Sequence, residues 1–276
     1  MNTNNPIDRR TFIKSSALLA APSVLSACNR SSAVEKQAGI VPLFDGVTLD
    51  GWHKNPKKIG HGTGGLWEVQ DGTIAGGQDP PGSGNGGILL SNRIYGNFEL
   101  LIDIKPDWGC CSGLFFRSTE KGQCFQMMVD YHEDGNVGHI YGEGIGGFDN
   151  RPFDIFGKYD GGGKLIGLKS SPRPGSEDLP PAYSISGERF CEIYKVDDWN
   201  RVKVRCIGAD PKLTIWINGE KITEFDATTF NRKGYDKKKV ATTLGIEGHI
   251  ALQVHAGNSW PAAARCRWRN INIRTL

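Results

Sequence analysis

The chain has 276 residues, a formal net charge of +3 and 37 glycines. Lysine and arginine are not concentrated in any stripe or tail, which argues against nucleic acid as a partner. The length suits one large β domain with an ample hydrophobic core.

The N-terminal segment, residues 1–28, has the properties of an export signal. Arg9 and Arg10 precede an apolar run that is shorter than the ~20 residues a membrane-spanning helix needs. Paired arginines are typical of Tat export signals, and LSAC, which ends at Cys28, is typical of a lipobox. We therefore expect a periplasmic or outer-membrane-anchored lipoprotein, in contact with the membrane only through lipid on Cys28. The alternative is an ordinary secretory signal with a chance cysteine. Residues 29–39 are small and polar and indicate a flexible tether.

The remaining residues, 40–276, show the alternation of apolar and polar residues that is typical of β-strands. Asp71-Gly72 and Asn218-Gly219 are strong hairpin signals. No window has a sustained helical period, so the pattern predicts an all-β sandwich or jelly roll. The predicted strand regions are 66–77, 97–106, 112–118, 124–131, 200–208, 212–225, 249–255 and 265–276.

One segment, residues 145–198, is rich in glycine and proline and only weakly periodic. A loop of this length in a compact domain usually has a function or lacks order. We predict a long loop insertion that partly covers the site.

Six cysteines follow Cys28, namely Cys110, Cys111, Cys124, Cys191, Cys206 and Cys266. Export permits disulfides, but Cys124, Cys206 and Cys266 lie within apolar strand patterns and are expected to be buried free thiols. Because no C-x-x-C spacing occurs, a zinc site of the usual thiolate type is not expected.

Several separated motifs together resemble the bacterial 3-keto-disaccharide hydrolase domain family, and the resemblance extends over nearly all of residues 41–276. It implies a concanavalin A-like jelly-roll β-sandwich, export as a lipoprotein, and activity on sugars oxidised at carbon 3. The motifs are LFDGVTLDGW (43–52), LWEVQDGTIAG (66–76), YGNFELLIDIKPDWGCCSGLFFRS (95–118), IWINGEKI (215–222) and GHIALQVHAGNSWPAAARCRWRNINIRTL (248–276).

One strand departs from the family pattern. Many members carry a Glu-x-Gln-x-Asp type of strand, whereas here Gln126 replaces the acid, Met128 replaces the amide and Asp130 remains. The chain resembles a subgroup with a downstream Tyr-x-Glu, which Tyr141 and Glu143 provide. A catalytic role is therefore not transferred to Gln126, which is instead a candidate for substrate binding.

The segment after this strand supplies catalytic candidates. Asp130 and His132 are two positions apart, so an extended strand would direct both, with Gln126, to one face. The alternative is that the strand ends at Tyr131 and His132 begins a solvated turn.

Farther along, His139, Tyr141 and Glu143 can share a strand face. Glu143 is a catalytic candidate and Tyr141 a substrate-binding candidate. If a divalent metal ion binds, Asp130, Glu143 and the histidines, His139 among them, are possible ligands, although a lone histidine such as His139 is more often a satisfied structural residue.

The C-terminal part supplies His255 as a catalytic candidate, on the face opposite Leu252 and Val254. Gln253 shares that face and is a substrate-binding candidate. Arg117, which closes SGLFFR, could bind sugar hydroxyls or pair with a neighbouring strand, and Trp260 could stack on a sugar ring.

These residues lead to three hypotheses. The first is an enzyme that removes the carbon-2 proton of a 3-keto glycoside, eliminates the group at carbon 1 and hydrates the enone. His132 or Asp130 would be the base, with Glu143 and His255 as acid and orienting residue or as metal ligands. The second is a carbohydrate-binding module without chemistry, and the third a conventional glycosidase with paired carboxylates.

Overall fold

The computed structural model describes residues 39–179, 183–258 and 260–276. The predicted export signal, Cys28 and residues 29–38 of the predicted tether lie outside the described residues. Within those ranges, no helix is both long and apolar enough to cross a membrane.

The described chain is built mainly of antiparallel β-strands with two short helices. In chain order, the elements are β1 (Val41–Pro42), β2 (Trp52–Lys54), β3 (Leu66–Gln70), β4 (Thr73–Gly77), β5 (Gly87–Tyr95), β6 (Phe98–Pro106), β7 (Cys110–Ser118), β8 (Cys124–Tyr131), β9 (Asn136–Glu143), β10 (Phe153–Tyr159), β11 (Leu165–Pro172), α1 (Gly187–Ile193), β12 (Asn200–Ile207), β13 (Lys212–Ile217), β14 (Glu220–Asp226), α2 (Lys237–Leu244), β15 (Gly248–Val254) and β16 (Cys266–Thr275).

Two large sheets share one hydrophobic core. The eight-stranded sheet has the order β14-β13-β12-β6-β16-β4-β3, with β1 paired to β16, and the six-stranded sheet has the order β2-β5-β15-β7-β8-β9. Buried side chains of both sheets form one continuous cluster, as expected for a sandwich in which each sheet contributes its apolar face. The prediction of an all-β jelly-roll sandwich is confirmed.

The alternation within β8 explains which face of the six-stranded sheet carries the polar groups. Met127 and Val129 are fully buried in the shared core. Successive side chains of a strand point to opposite faces, so Gln126, Met128 and Asp130 lie on the other side. That outer face of the six-stranded sheet carries the candidate site.

Both predicted hairpins are present. Asp71 and Gly72 connect β3 to β4, and Asn218 and Gly219 connect β13 to β14, all four with φ between 49° and 90°. A type I′ turn requires positive φ at both central residues, which Asn-Gly and Asp-Gly adopt with little strain.

The segment 145–198 is more ordered than the sequence predicts. It contains the β10–β11 hairpin and helix α1, which packs against β11. Ser186 caps the helix by accepting a hydrogen bond from the backbone N–H of Arg189, and Phe190 is buried. The predicted long loop insertion is therefore corrected to a hairpin and a short helix.

The cysteine prediction also holds within the described residues, where all six cysteines are free thiols. Cys124, Cys206 and Cys266 are completely buried, as expected, and so is Cys110.

Candidate active site

A polar cavity of about 160 Å³ lies on the outer face of the six-stranded sheet. It brings together five of the residues singled out from the sequence. The full lining is Cys111, Gln126, Met128, Asp130, Tyr141, Glu143, Arg151 and His255.

Strand register explains why residues so distant in sequence meet here. The antiparallel pairing of β7, β8 and β9 sets Cys111 opposite Asp130, and Gln126 opposite Tyr141. β15 is the other neighbour of β7, and the backbone N–H of His255, just after that strand, donates to Cys111 O at 3.3 Å. Every cavity residue except Arg151 therefore lies on one of four adjacent strands or directly after it.

A chain of buried polar side chains forms the floor beneath the cavity. Gln126 Nε2 donates to Gln253 Oε1 at 3.2 Å. Gln253 Nε2 lies 3.2 Å from His61 Nε2 and 3.3 Å from His61 Nδ1, and His61 Nε2 is 3.7 Å from Glu143 Oε1. Gln253 is completely buried, so it supports the floor instead of contacting a sugar as predicted.

His61 is a site residue that the sequence analysis missed. Its ring is 5.2 Å from that of His255, measured between centroids, and it links that histidine to Glu143. Burial, reinforced by His255, lowers the pKa of His61 to about 4, so the ring is neutral near pH 7. Its only sequence signal is its position in HGTGG, between β2 and β3.

The loop that carries His61 is fixed by hydrogen bonds. Asn55 Nδ2 donates to Gly62 O at 3.2 Å, and Asn55 Oδ1 accepts from the backbone N–H of Ile88 at 3.0 Å. The same amide therefore joins the loop to β5 and holds the imidazole against the floor.

Burial raises the pKa of both carboxyl groups of the cavity. Burial raises the pKa of Glu143, an effect that His255 opposes and Asp130 reinforces. Burial also raises the pKa of Asp130, partly offset by His132. A carboxyl that keeps its proton closer to neutral pH is suited to act as a general acid.

The orientation of His255 fixes which ring nitrogen carries the proton. Nδ1 lies 2.5 Å from Ala256 O, and a carbonyl oxygen can only accept, so Nδ1 is the donor. Nε2 is then the nitrogen with a free lone pair. Gln78 holds the same segment by donating to Gly257 O at 2.8 Å and to His255 O at 3.3 Å.

Arg151 is a second residue that the sequence analysis missed. It lines the cavity within a group of ion pairs: its Nε is 3.7 Å from Asp149 Oδ2 and its Nη1 is 3.5 Å from Asp154 Oδ1. Within the described chain, its Nε is buried and has no hydrogen-bond acceptor. A buried donor without an acceptor is costly.

His132 lies beside the cavity. β8 ends at Tyr131 and His132 stands in the following turn, yet one of its ring nitrogens remains close to Cys111 and Asp130, with the three ligand atoms within 4.8 Å of one another. β8 therefore ends at Tyr131, as the alternative interpretation of the sequence predicted. His132 nevertheless lies close to Asp130, one of the catalytic candidates.

Arg117 is not a site residue. Its backbone has a φ of 51°, which turns the side chain out of the strand alternation, and only 1% of the residue is exposed. The guanidinium donates to Gly208 O at 2.6 Å, to Ala209 O at 2.9 Å and to Gly96 O at 3.1 Å. The buried guanidinium therefore connects the loop at Gly96 to the loop at Gly208, and it is not available to bind a sugar.

His139 is likewise a structural residue. A φ of 100° at Gly138 and a register shift between β8 and β9 alter the alternation on which the prediction relied. The ring is completely buried, with Nδ1 3.0 Å from Asn136 Oδ1 and Nε2 2.9 Å from Ser184 Oγ. Burial lowers its pKa to about 3. Both nitrogens have partners, so the predicted metal-ligand role is corrected.

Trp260 is also buried, with 3% of the residue exposed. Its Nε1 donates to Ala264 O at 3.0 Å. The indole therefore fills the loop before β16 and cannot serve as the stacking surface that was predicted.

The comparisons with known proteins agree with this architecture. The model of the 3-keto-alpha-glucoside-1,2-lyase-like domain family matches residues 39–274. A 3-keto-disaccharide hydrolase from Bacteroides thetaiotaomicron is 25% identical over 268 residues, which cover 86% of this chain and 79% of that protein.

Solved structures show the same fold. A glycosyl hydrolase candidate from Parabacteroides distasonis superimposes with a TM-score of 0.50 at 21% identity, covering 86% of this chain and 99% of that one. A second from the same species has a TM-score of 0.48 and 17% identity, with 86% and 94% covered. From the match over residues 39–274, we conclude that the chain belongs to the 3-keto-alpha-glucoside-1,2-lyase-like domain family.

Proposed function

We propose that the protein cleaves 3-keto glycosides by removing the carbon-2 proton, eliminating the group at carbon 1 and hydrating the resulting enone. Family membership and the Bacteroides relative support a glycoside-hydrolase-like function. The observation that carries the finer proposal is the cavity in which the His255 imidazole, with its Nδ1 held by Ala256 O, accompanies a carboxyl whose pKa burial raises.

The chemistry of a 3-keto sugar sets three requirements. The ketone acidifies the hydrogen on carbon 2, so a base must receive that proton. The enolate oxygen that forms needs a hydrogen-bond donor or positive charge, and the leaving group on carbon 1 needs an acid. An ordinary glycosidase instead places two carboxylates across the bond and forms an oxocarbenium-like transition state.

The cavity has a residue suited to each requirement. His255 is the base through Nε2, because its Nδ1 proton is held by Ala256 O. Glu143 is the acid, because burial raises its pKa. Arg151, which lines the cavity, supplies a positive charge to the enolate oxygen. Asp130 also lines the cavity, and His132 lies beside it.

The size of the cavity limits how much of a substrate enters. About 160 Å³ is less than the roughly 300–1,000 Å³ of typical small-molecule sites. We propose that the oxidised sugar ring occupies the cavity, against Gln126 and Tyr141, and that the leaving group remains outside.

The test is turnover of a 3-keto disaccharide and of its unoxidised parent by the purified protein. We expect product from the keto sugar alone, and about 10²–10⁴-fold less for Glu143→Gln. Glu247→Gln is the matched control, because Glu247 is exposed outside the cavity. Equal turnover of both sugars would favour a conventional glycosidase, and binding of the keto sugar without product would favour a carbohydrate-binding module.

We also propose Tat export and lipidation of Cys28, on the sequence signals alone. In the native host, the full chain is expected in the membrane fraction and Cys28→Ser in the soluble periplasmic fraction. A wild-type chain that is recovered without attached lipid would contradict this proposal.

A further inference from the structure

A second cluster of potential ligands adjoins the proposed acid and base. Cys111 on β7 and Asp130 on β8 are a cross-strand pair, and His132 follows two residues later. One ligand atom from each residue lies within 4.8 Å of the other two, and Cys111 Sγ is 3.4 Å from Asp130 Oδ1. Sulfur, oxygen and nitrogen donors thus converge at one edge of the cavity.

The imidazole is held in the manner of a metal ligand. Nδ1 of His132 is 2.6 Å from Glu133 O, so Nδ1 is the donor and Nε2 keeps its lone pair. Metal-binding histidines usually donate the other ring N–H to a carbonyl or carboxylate, which fixes the tautomer. His139 provides the contrast, since both of its nitrogens have partners inside the fold.

The fold itself brings the three donors together. Strand register sets Cys111 against Asp130, and the turn after Tyr131 keeps His132 near both. A thiolate and a carboxylate together carry two negative charges, which a divalent cation would balance. Cys111 and Asp130 also line the cavity, so a fourth coordination position would face its interior.

We propose that Cys111, Asp130 and His132 bind a borderline divalent cation such as Zn²⁺ or Co²⁺ and leave one coordination position open to the cavity. Cysteine and histidine ligands disfavour Mg²⁺ and Ca²⁺, which prefer oxygen. Three protein ligands with an open fourth position are typical of zinc sites that act on a substrate. Metal binding itself does not depend on the proposed function.

The test is metal titration of the full chain after treatment with a chelator, under reducing, oxygen-free conditions and without substrate. We expect one Co²⁺ per chain and a sulfur-to-cobalt charge-transfer band in the near ultraviolet. Cys111→Ser should remove that band, and Cys191→Ser, which alters a half-buried thiol outside the cavity, should preserve it.

Zn²⁺ affinity provides a second measurement on correctly folded variants. Cys111→Ser and Asp130→Asn should weaken Zn²⁺ binding by more than the roughly 10–100-fold that loss of an outer-shell partner costs. Near-ultraviolet circular dichroism checks that each variant keeps its fold. Equal affinity of wild type and both variants, or a cobalt complex without the band, would overturn the proposal whatever the enzyme does with a keto sugar.

Discussion

At the scale of single residues, the cavity contains groups that the proposed reaction requires but whose burial lowers the stability of the fold. Glu143 is half-buried, and His61, whose Nε2 lies 3.7 Å from its Oε1, is a neutral imidazole with a pKa of about 4. A buried carboxylate without a paired charge costs stability when ionised. Such costs are common at functional sites.

The first prediction concerns the stability of Glu143→Gln. The folded-state pKa of Glu143 is raised above its ordinary value of 4.5, so proton binding stabilises the fold below pH 4.5 and this stabilisation is lost as pH rises through the folded pKa. Glutamine carries no charge, so the variant should have a higher Tm than wild type at pH 7 and a similar Tm below pH 4.5. A lower Tm at pH 7 would show that the ionised carboxylate is favoured by its surroundings.

The second prediction concerns the proposed base. His255→Gln should lower kcat on a 3-keto disaccharide by about 10²–10⁴-fold, the usual contribution of a general base. His249→Gln is the matched control, because His249 lies at the other end of β15 with its Nδ1 2.6 Å from Ser91 O. Steady-state kinetics of both variants decide the point, and equal losses would contradict the role of His255.

At the scale of elements, three backbone segments that pack closely against one another hold His61 in place. Gly62 has a φ of 126°, and a Cβ there would meet Asn85 Oδ1 and lie 2.5 Å from Gly86 O. A Cβ on Gly86 would in turn meet Val254 O. The loop, the start of β5 and the end of β15 are therefore packed at a distance that only glycine permits.

The third prediction compares two glycines of this loop. Gly62→Ala should destabilise the fold by about 1–3 kcal/mol through overpacking, and it should lower kcat by moving His61. A Cβ on Gly60 meets nothing within 4 Å, so Gly60→Ala should change stability by less than about 0.5 kcal/mol. Denaturant unfolding of both variants is the measurement, and similar effects would mean that this close packing does not position the loop.

The alternation of apolar and polar residues predicted most of the strands, but only part of the site. Alternation predicted β6, β8, β12 and β16, and the same alternation placed Gln126 and Asp130 on the face of the cavity. It failed at Arg117 and His139, where a left-handed backbone or a register shift interrupts the alternation. His61 and Arg151 carry no periodic signal, since they lie in loops that only the tertiary fold brings to the cavity.

At the scale of the whole molecule, two buried histidines tie stability to pH. Burial lowers the pKa of His61 to about 4 and that of His139 to about 3. Each is neutral in the fold and gains a proton more easily when unfolded. Their contribution to stability is fully present above pH 6.5, the ordinary pKa of histidine, and is lost as pH falls through the folded pKa values.

The fourth prediction isolates one of these histidines. His139→Gln should be less stable than wild type at pH 7, because Asn136 and Ser184 lose well-placed partners. Its unfolding free energy should also fall less steeply than that of wild type between pH 6.5 and about 3. Denaturant unfolding across this range measures both slopes, and parallel curves would show that His139 is not held neutral by the fold.

The central claim, that the protein removes the proton on carbon 2 before the glycosidic bond is replaced, is tested most directly with a 3-keto disaccharide deuterated at that carbon. In ordinary water we predict a product monosaccharide that carries hydrogen from solvent at carbon 2. The labelled product, incubated with the enzyme, controls for exchange after cleavage. A product that retains its deuterium while the control shows no exchange would contradict elimination and hydration and would indicate direct hydrolysis at carbon 1.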